Sequence, residues 1–172
     1  MRVAAFSDTH DNWPMLDACL ADVAARGIKV LLHCGDMCAP LTLGHLLEGF
    51  AGEVHTVHGN VDGDPFLMAT RFTRDNLHQH GPSLAELEIG GRQVAMQHYP
   101  ELARGLAATG SYDVVLYGHD HVAHQERLTA GSRDVILANP GTLSAMGKAP
   151  SYAIYHCDSH QIEHVLVVAD NH

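Results

Sequence analysis

Apolar residues in this chain come in short runs, and the runs change character about halfway along. Arg2 to Ser7 is a short apolar stretch bounded by polar residues, which predicts a strand. From Pro14 to Ala25 the positions Met15, Leu16, Cys19, Leu20, Val23 and Ala24 recur at helical spacing. Asn12 is placed to cap that helix, Pro14 suits its first turn and Gly27 its stop. Val30-Leu31-Leu32-His33-Cys34 is a continuous apolar run, as expected of a strand buried on both faces. Leu41 to Phe50 is again helix-like, and Val54 to Val57 predicts a third short strand. Strand–helix–strand–helix–strand implies parallel strands joined by right-handed crossovers.

After about residue 80 the pattern alternates instead. Leu84 to Ile89 switches apolar and polar at every step, Gly90-Gly91 signals a hairpin turn, and Val94 to Gln97 supplies the partner strand. Glu101 to Ala108 is a further helix candidate and Val114 to Tyr117 another buried strand. His124–Leu128, Val135–Ala138, Ala153–Tyr155 and Ile162–Val168 complete the strand candidates, so helices become scarce toward the C-terminus. The whole reads as α/β, two packed sheets with helices outside, in a single domain over residues 1–172 with no linker or repeat. The stretch from Asp62 to Gly81 is the least regular and is expected to be a mobile loop.

Composition narrows the function. Hydrophobic residues are 46% of the chain, enough for a sizeable core and too many for a disordered one. Twenty acidic against ten basic residues leave a formal charge of −10, which disfavours tight binding to a polymeric nucleic acid, because that needs a Lys/Arg patch. No signal-peptide pattern and no span of roughly 20 apolar residues are evident, so a cytoplasmic protein without a membrane segment is expected. Cys19, Cys34, Cys38 and Cys157 are then expected to be reduced, with Cys34 buried as a small hydrophobe rather than bound to zinc. Fifteen histidines are many for this length, and they form no tract of the kind a metal-storage protein would use.

The informative pattern is where metal-capable residues fall. Ser7-Asp8-Thr9-His10, Gly35-Asp36, Gly59-Asn60-Val61-Asp62, Gln97-His98 and Gly118-His119-Asp120-His121 each follow an apolar strand directly. Open α/β sheets bind ligands beyond the carboxyl ends of their strands, so five strand ends aim Asp, His and Asn side chains at one region. Mixed imidazole and carboxylate ligands suit Zn²⁺, Mn²⁺, Fe or Ni²⁺ better than Ca²⁺. One carboxylate can bridge two ions about 3.5–4 Å apart. Glycines before Asp36, Asn60 and His119 allow sharp turns or close approach. Each signal alone is ordinary, since a lone Asp-Thr-His is usually a turn. The five together, in order, read as two divalent metal ions in one open site, with positions left for water and substrate.

These motifs, with the Asn139-Pro140-Gly141-Thr142 turn, resemble the calcineurin-like metallophosphoesterases, and most of all their small single-domain bacterial and archaeal phosphodiesterases. The resemblance spans residues 8 to 142 and implies a four-layer αββα sandwich. It implies that Asp8, His10 and His121 hold one metal and Asn60, His98 and His119 the other, with Asp36 shared. It further implies a hydroxide between the metals that attacks phosphorus in a small or cyclic nucleotide-like diester, with manganese as the expected activating ion among Mn, Fe, Ni, Co and Zn. Larger members carry a histidine directly after the motif asparagine. Here Val61 stands there and cannot transfer a proton. Asp62 is then a weak candidate for a catalytic part and equally a turn cap or an orienting group. Tyr99, where relatives often have glycine, would narrow the site, stack on substrate or pack. The alternative is a non-catalytic interaction scaffold of the same fold, since the retromer scaffold subunit belongs to this branch. The resemblance also allows for a homo-oligomer.

Overall fold

The computed structural model describes residues 1–82 and 84–168. Along the chain lie β1 (Arg2–Phe6), α1 (Trp13–Ala25), β2 (Val30–His33), α2 (Pro40–Gly49), β3 (Glu53–Thr56), α3 (Pro65–Arg71) and β4 (Leu77–Gln79). There follow β5 (Ala85–Ile89), β6 (Arg92–Met96), α4 (Pro100–Ala108), β7 (Val114–Leu116), β8 (His124–Ala130), β9 (Arg133–Asn139), β10 (Ser151–His156) and β11 (Gln161–Leu166). Two mixed sheets result, ordered β11-β10-β1-β2-β3-β4 and β5-β6-β7-β9-β8. In the first, β1, β2, β3 and β4 pair in parallel while β10 lies antiparallel to β1. In the second, β6, β7 and β9 pair in parallel, flanked by antiparallel β5 and β8.

Three separate hydrophobic clusters account for the layering. Because strand residues alternate faces, Ala4, Phe6, Leu31 and Val54 turn toward α1 and α2, whose Leu16, Leu20, Leu43 and Leu46 meet them. The intervening Val3, Ala5, Val30 and Leu32 face the second sheet and pack on Val94, Met96, Val114, Leu116 and Ile136. On that sheet's outer face, Ala95, Val115 and Leu137 receive Ala103 and Ala107 of α4. Helix, sheet, sheet and helix therefore stack as the αββα sandwich. The continuous apolar runs of β1 and β2 follow directly: each has a core on both faces.

Local signals explain the element ends. Asn12 Oδ1 accepts the Met15 N–H at 3.3 Å, a side-chain cap that starts α1, and Gly27 at φ +67° ends the turn after it. The expectation of a mobile loop from Asp62 to Gly81 is corrected, because α3 and β4 lie there. Asp64 begins α3 by accepting the Leu67 N–H at 2.9 Å, with Pro65 in the first turn. That helix buries only Met68, so it carries no apolar stripe to read, and β4 is an edge strand of three residues.

Candidate metal centre

Parallel pairing sends β1, β2 and β3 out of the first sheet at one end, and β6 and β7 out of the second at the same end of the sandwich. The loops that follow carry all seven of the residues singled out above, and they converge. Asp8, His10 and His121 form one group and Asp36, His98 and His119 another, with the donor atoms of each within 4.8 Å of one another. In the first, His121 Nε2 lies 3.3 Å from Asp8 Oδ1 and 3.2 Å from His10 Nε2. In the second, Asn60 Oδ1 lies 3.0 Å from His98 Nε2 and 2.8 Å from His119 Nδ1. Asp36 stands between the groups, its Oδ2 3.4 Å from His98 Nε2 and 3.8 Å from His10 Nε2.

The donor chemistry fits divalent cations. Ligand bonds of about 2.1 Å put neighbouring donor atoms roughly 3.0–3.4 Å apart in octahedral or tetrahedral shells, close to the separations here. His98 Nδ1 donates to the Cys34 carbonyl at 2.8 Å, which fixes the ring so that Nε2 presents a lone pair to Asp36 and Asn60. Oxygen and nitrogen donors gathered this closely favour a positive charge in their midst, whether a proton or a metal cation. Asp8, Asp36 and His98 are buried, while Asn60 and His119 are exposed, so the site is open on one side to a substrate.

The backbone is bent hard to achieve this. Asp8, His10, Asp36, His119 and His121 all have φ between +45° and +76°, a region that L side chains rarely adopt. Such outliers cluster at functional sites because the surrounding structure must over-determine them. Gly59 serves close approach rather than turning, since a Cβ there would sit 2.0 Å from Asp36 Oδ1. Gly118 does the same beside Ser7 and Asp8, and only Gly35, at φ +100°, needs a glycine conformation.

Several residues outside the seven brace these loops. The Asp62 carboxylate accepts four backbone N–H groups, those of Asp36 (2.9 Å), Met37 (2.7 Å), Cys38 (3.0 Å) and Gly59 (2.7 Å), tying the loops after β2 and β3 together. It thereby positions Asp36 and leaves little of its own oxygen surface for chemistry. His33, buried in β2, accepts from Gly35 N at 3.2 Å through Nδ1 and donates to Thr9 Oγ1 at 2.8 Å through Nε2, joining two ligand loops. The one polar residue in an otherwise apolar strand was the available signal. Asn139 Nδ2 donates to the Gly118 carbonyl (3.0 Å) and to Asp120 (2.6 Å), and Thr142 Oγ1 donates to the Asp8 carbonyl (2.9 Å). The Asn-Pro-Gly-Thr turn is therefore a buttress. Tyr99, half-buried, sets its ring 5.2 Å from that of His98 and 5.1 Å from that of His119, at the rim.

Charge follows from the same contacts. The Asp8 carboxylate beside it raises the His10 imidazole above its ordinary range against the effect of burial. Burial alone would raise Asp36, but hydrogen bonds from His98 and the Val61 N–H outweigh it and lower it. Burial likewise opposes protonation of His98, which the Asp36 carboxylate and the Cys34 carbonyl nevertheless raise. Protons thus gather on imidazoles that a bound cation would displace them from. Burial, the largest effect, pushes the Cys38 thiol up to about 11, which keeps it protonated beside His10 Nδ1 at 3.3 Å.

Known proteins resemble this chain. A phosphodiesterase of Methanocaldococcus jannaschii is 25% identical over 143 residues, covering 82% of this chain and 83% of that protein. The structure of an archaeal phosphodiesterase superimposes with a TM-score of 0.84 at 21% identity, covering 98% of this chain and 100% of the other. A phosphoesterase of E. coli matches with a TM-score of 0.67 at 19% identity, covering 98% and 100%. The zinc complex of Vps29 from Entamoeba histolytica matches with a TM-score of 0.62 at 17% identity, covering 96% and 99%. The model of the calcineurin-like phosphoesterase superfamily domain matches residues 1–160, nearly the whole sandwich together with all five loops that carry the candidate residues. The chain belongs to the calcineurin-like phosphoesterase superfamily.

Proposed function

We propose that this chain is a metal-dependent phosphodiesterase that acts, as a single domain over residues 1–172, on a small or cyclic nucleotide-like phosphodiester. Asp8, His10 and His121 would hold one divalent ion and Asn60, His98 and His119 a second, with Asp36 shared. The observation that carries this reading is the Asp36 carboxylate, whose Oδ2 lies within 3.8 Å of ring nitrogens from both groups. Two ions held there would lower the pKa of water and neutralise charge developing on the phosphoryl oxygens. The protein's own part is placement. Asp62 and His33 hold the loops, Asn139 and Thr142 buttress them, and exposed Asn60 and His119 leave room for the ester. Val61, with an exposed and unreactive side chain, supplies no proton to the leaving oxygen. Ten basic residues among 172 favour a small substrate over a polymer.

The test is hydrolysis of bis(p-nitrophenyl) phosphate by metal-stripped protein, with Mn²⁺, Ni²⁺ and Zn²⁺ restored singly and Asp36→Asn alongside. Activity that returns with metal, Mn²⁺ foremost, and vanishes in the variant is the expected result. Two ions bound per chain without activity on any ester would favour a binding scaffold of this fold instead.

A further inference from the structure

A second set of metal-capable side chains gathers away from that centre, at the β4 edge of the first sheet. Parallel pairing of β3 with β4 places His55 opposite His78. Strand residues two apart share a face, so Glu53 lies beside His55, and His80, just past β4, lies beside His78. Val54, on the opposite face, packs under the helices. Glu53 Oε1 lies 2.9 Å from His55 Nε2 and 3.5 Å from His78 Nε2, and the two imidazoles stack with centroids 4.6 Å apart. A tetrahedral zinc ion with bonds of about 2.0–2.1 Å spaces its ligand atoms by roughly 3.3 Å, which those two distances bracket.

The surroundings favour ligation over simple edge protection. Protecting an exposed edge requires only charge or bulk, for which one lysine suffices. Here two imidazoles, His55 and His78, converge on the Glu53 carboxylate, and a third, His80, stands behind His55. The remaining nitrogen of His55, Nδ1, lies 3.1 Å from His80 Nε2, and with its proton directed there Nε2 keeps a lone pair toward Glu53 and His78. His55 is buried, whereas Glu53 and His78 are about half exposed, so an ion can enter and a water can complete its shell.

We propose that Glu53, His55 and His78 form a further binding site for a borderline divalent ion such as Zn²⁺, with His80 as the residue that orients His55. The ion would pin the three-residue edge strand to β3. It would also close the base of the excursion that carries Asn60 and Asp62 into the candidate metal centre. The assignment stands independently of the phosphodiesterase reading.

Equilibrium dialysis against Zn²⁺ tests it, with Glu53→Gln and His78→Ala compared with the unaltered chain, and each combined with Asp36→Asn. The unaltered chain should bind three Zn²⁺ ions. Glu53→Gln and His78→Ala should each weaken one of them at least tenfold, with Mn²⁺-supported ester hydrolysis unchanged. Zn²⁺ should raise the melting temperature of the Asp36→Asn chain, and the added His78→Ala should abolish that rise. Equal Zn²⁺ binding with and without these substitutions, in either background, would overturn the site. Loss of the other two ions alone, in Asp36→Asn, bears on the phosphodiesterase reading and not on this one.

Discussion

Replacing Asp62 with asparagine keeps the shape of the side chain and removes what its loops depend on. The carboxylate accepts four N–H groups, two at each oxygen: Met37 and Cys38 at Oδ1, Asp36 and Gly59 at Oδ2. An amide oxygen can keep one pair, but the amide nitrogen then points its own hydrogens at the other two donors. Hydrogen bonds to a charged group contribute about 1.5–3 kcal/mol each. Losing two would cost about 3–6 kcal/mol in full burial. Asp62 is only half-buried and water can reach the freed donors, so we expect about 2–4 kcal/mol. At roughly 2–4 °C per kcal/mol for a chain of this size, the metal-free variant should melt on the order of 5–15 °C lower. Either orientation of the amide orphans at least one donor among Asp36, Met37 and Cys38, so Mn²⁺ affinity should fall about 10–100-fold, as for other outer partners of metal ligands. Urea unfolding and Mn²⁺ titration of the same preparation measure both. A variant whose stability stays within about 0.5 kcal/mol of the parent, the level of ordinary surface changes, and whose Mn²⁺ affinity is unchanged would refute the bracing role.

Gly59→Ala would set a Cβ 2.0 Å from Asp36 Oδ1, so it should displace Asp36 and abolish Mn²⁺-dependent hydrolysis, while Gly105→Ala, with nothing within 4 Å, should leave activity intact; calorimetric Mn²⁺ binding reads the difference. With Val61 in place of a proton donor, turnover at saturating Mn²⁺ should fall steeply from aryl to alkyl leaving groups, since a general acid contributes about 10²–10⁴-fold; a flat series would contradict this. Burial, the largest influence, holds the His33 imidazole near 4, against 6.5 ordinarily, so the unfolded chain takes up its proton first and stability is lost as pH falls from about 6.5 to 4. That shift is on the order of 3 kcal/mol, and urea midpoints at pH 7 and 4.5 should differ less in metal-free His33→Asn than in the parent.

The elements that could be read from sequence are those whose burial imposes a period. β1 and β2 have a core on both faces and α1 a five-residue stripe, so their residues announce them. α3 and β4 bury too little to leave a pattern, although Asp64-Pro65 was a usable start signal. The seven residues of the candidate site were visible because each lies just past a strand. What was not visible is how residues 111 apart, such as His10 and His121, come to face one another at 3.2 Å. The same holds for the roles of His33 and Asn139. Such contacts depend on sheet order and on how the two sheets are superposed, which no local spacing encodes.

The place of β1 in its sheet has a consequence for synthesis on the ribosome. It lies between β2, made soon afterwards, and β10, made about 150 residues later, with Arg2 opposite His156. Until β10 emerges, β1 is a naked edge with one side unpaired, the kind of surface that recruits other nascent chains. Asp8 likewise waits for Thr142, 134 residues later, to fix its carbonyl. The loop after β1 is therefore braced only once Thr142 has emerged, so a cation bound there would be held by a finished loop only after that point. Slowing translation should lengthen the vulnerable interval and protect nothing, and a chaperone that shields β1 would help most between those two events.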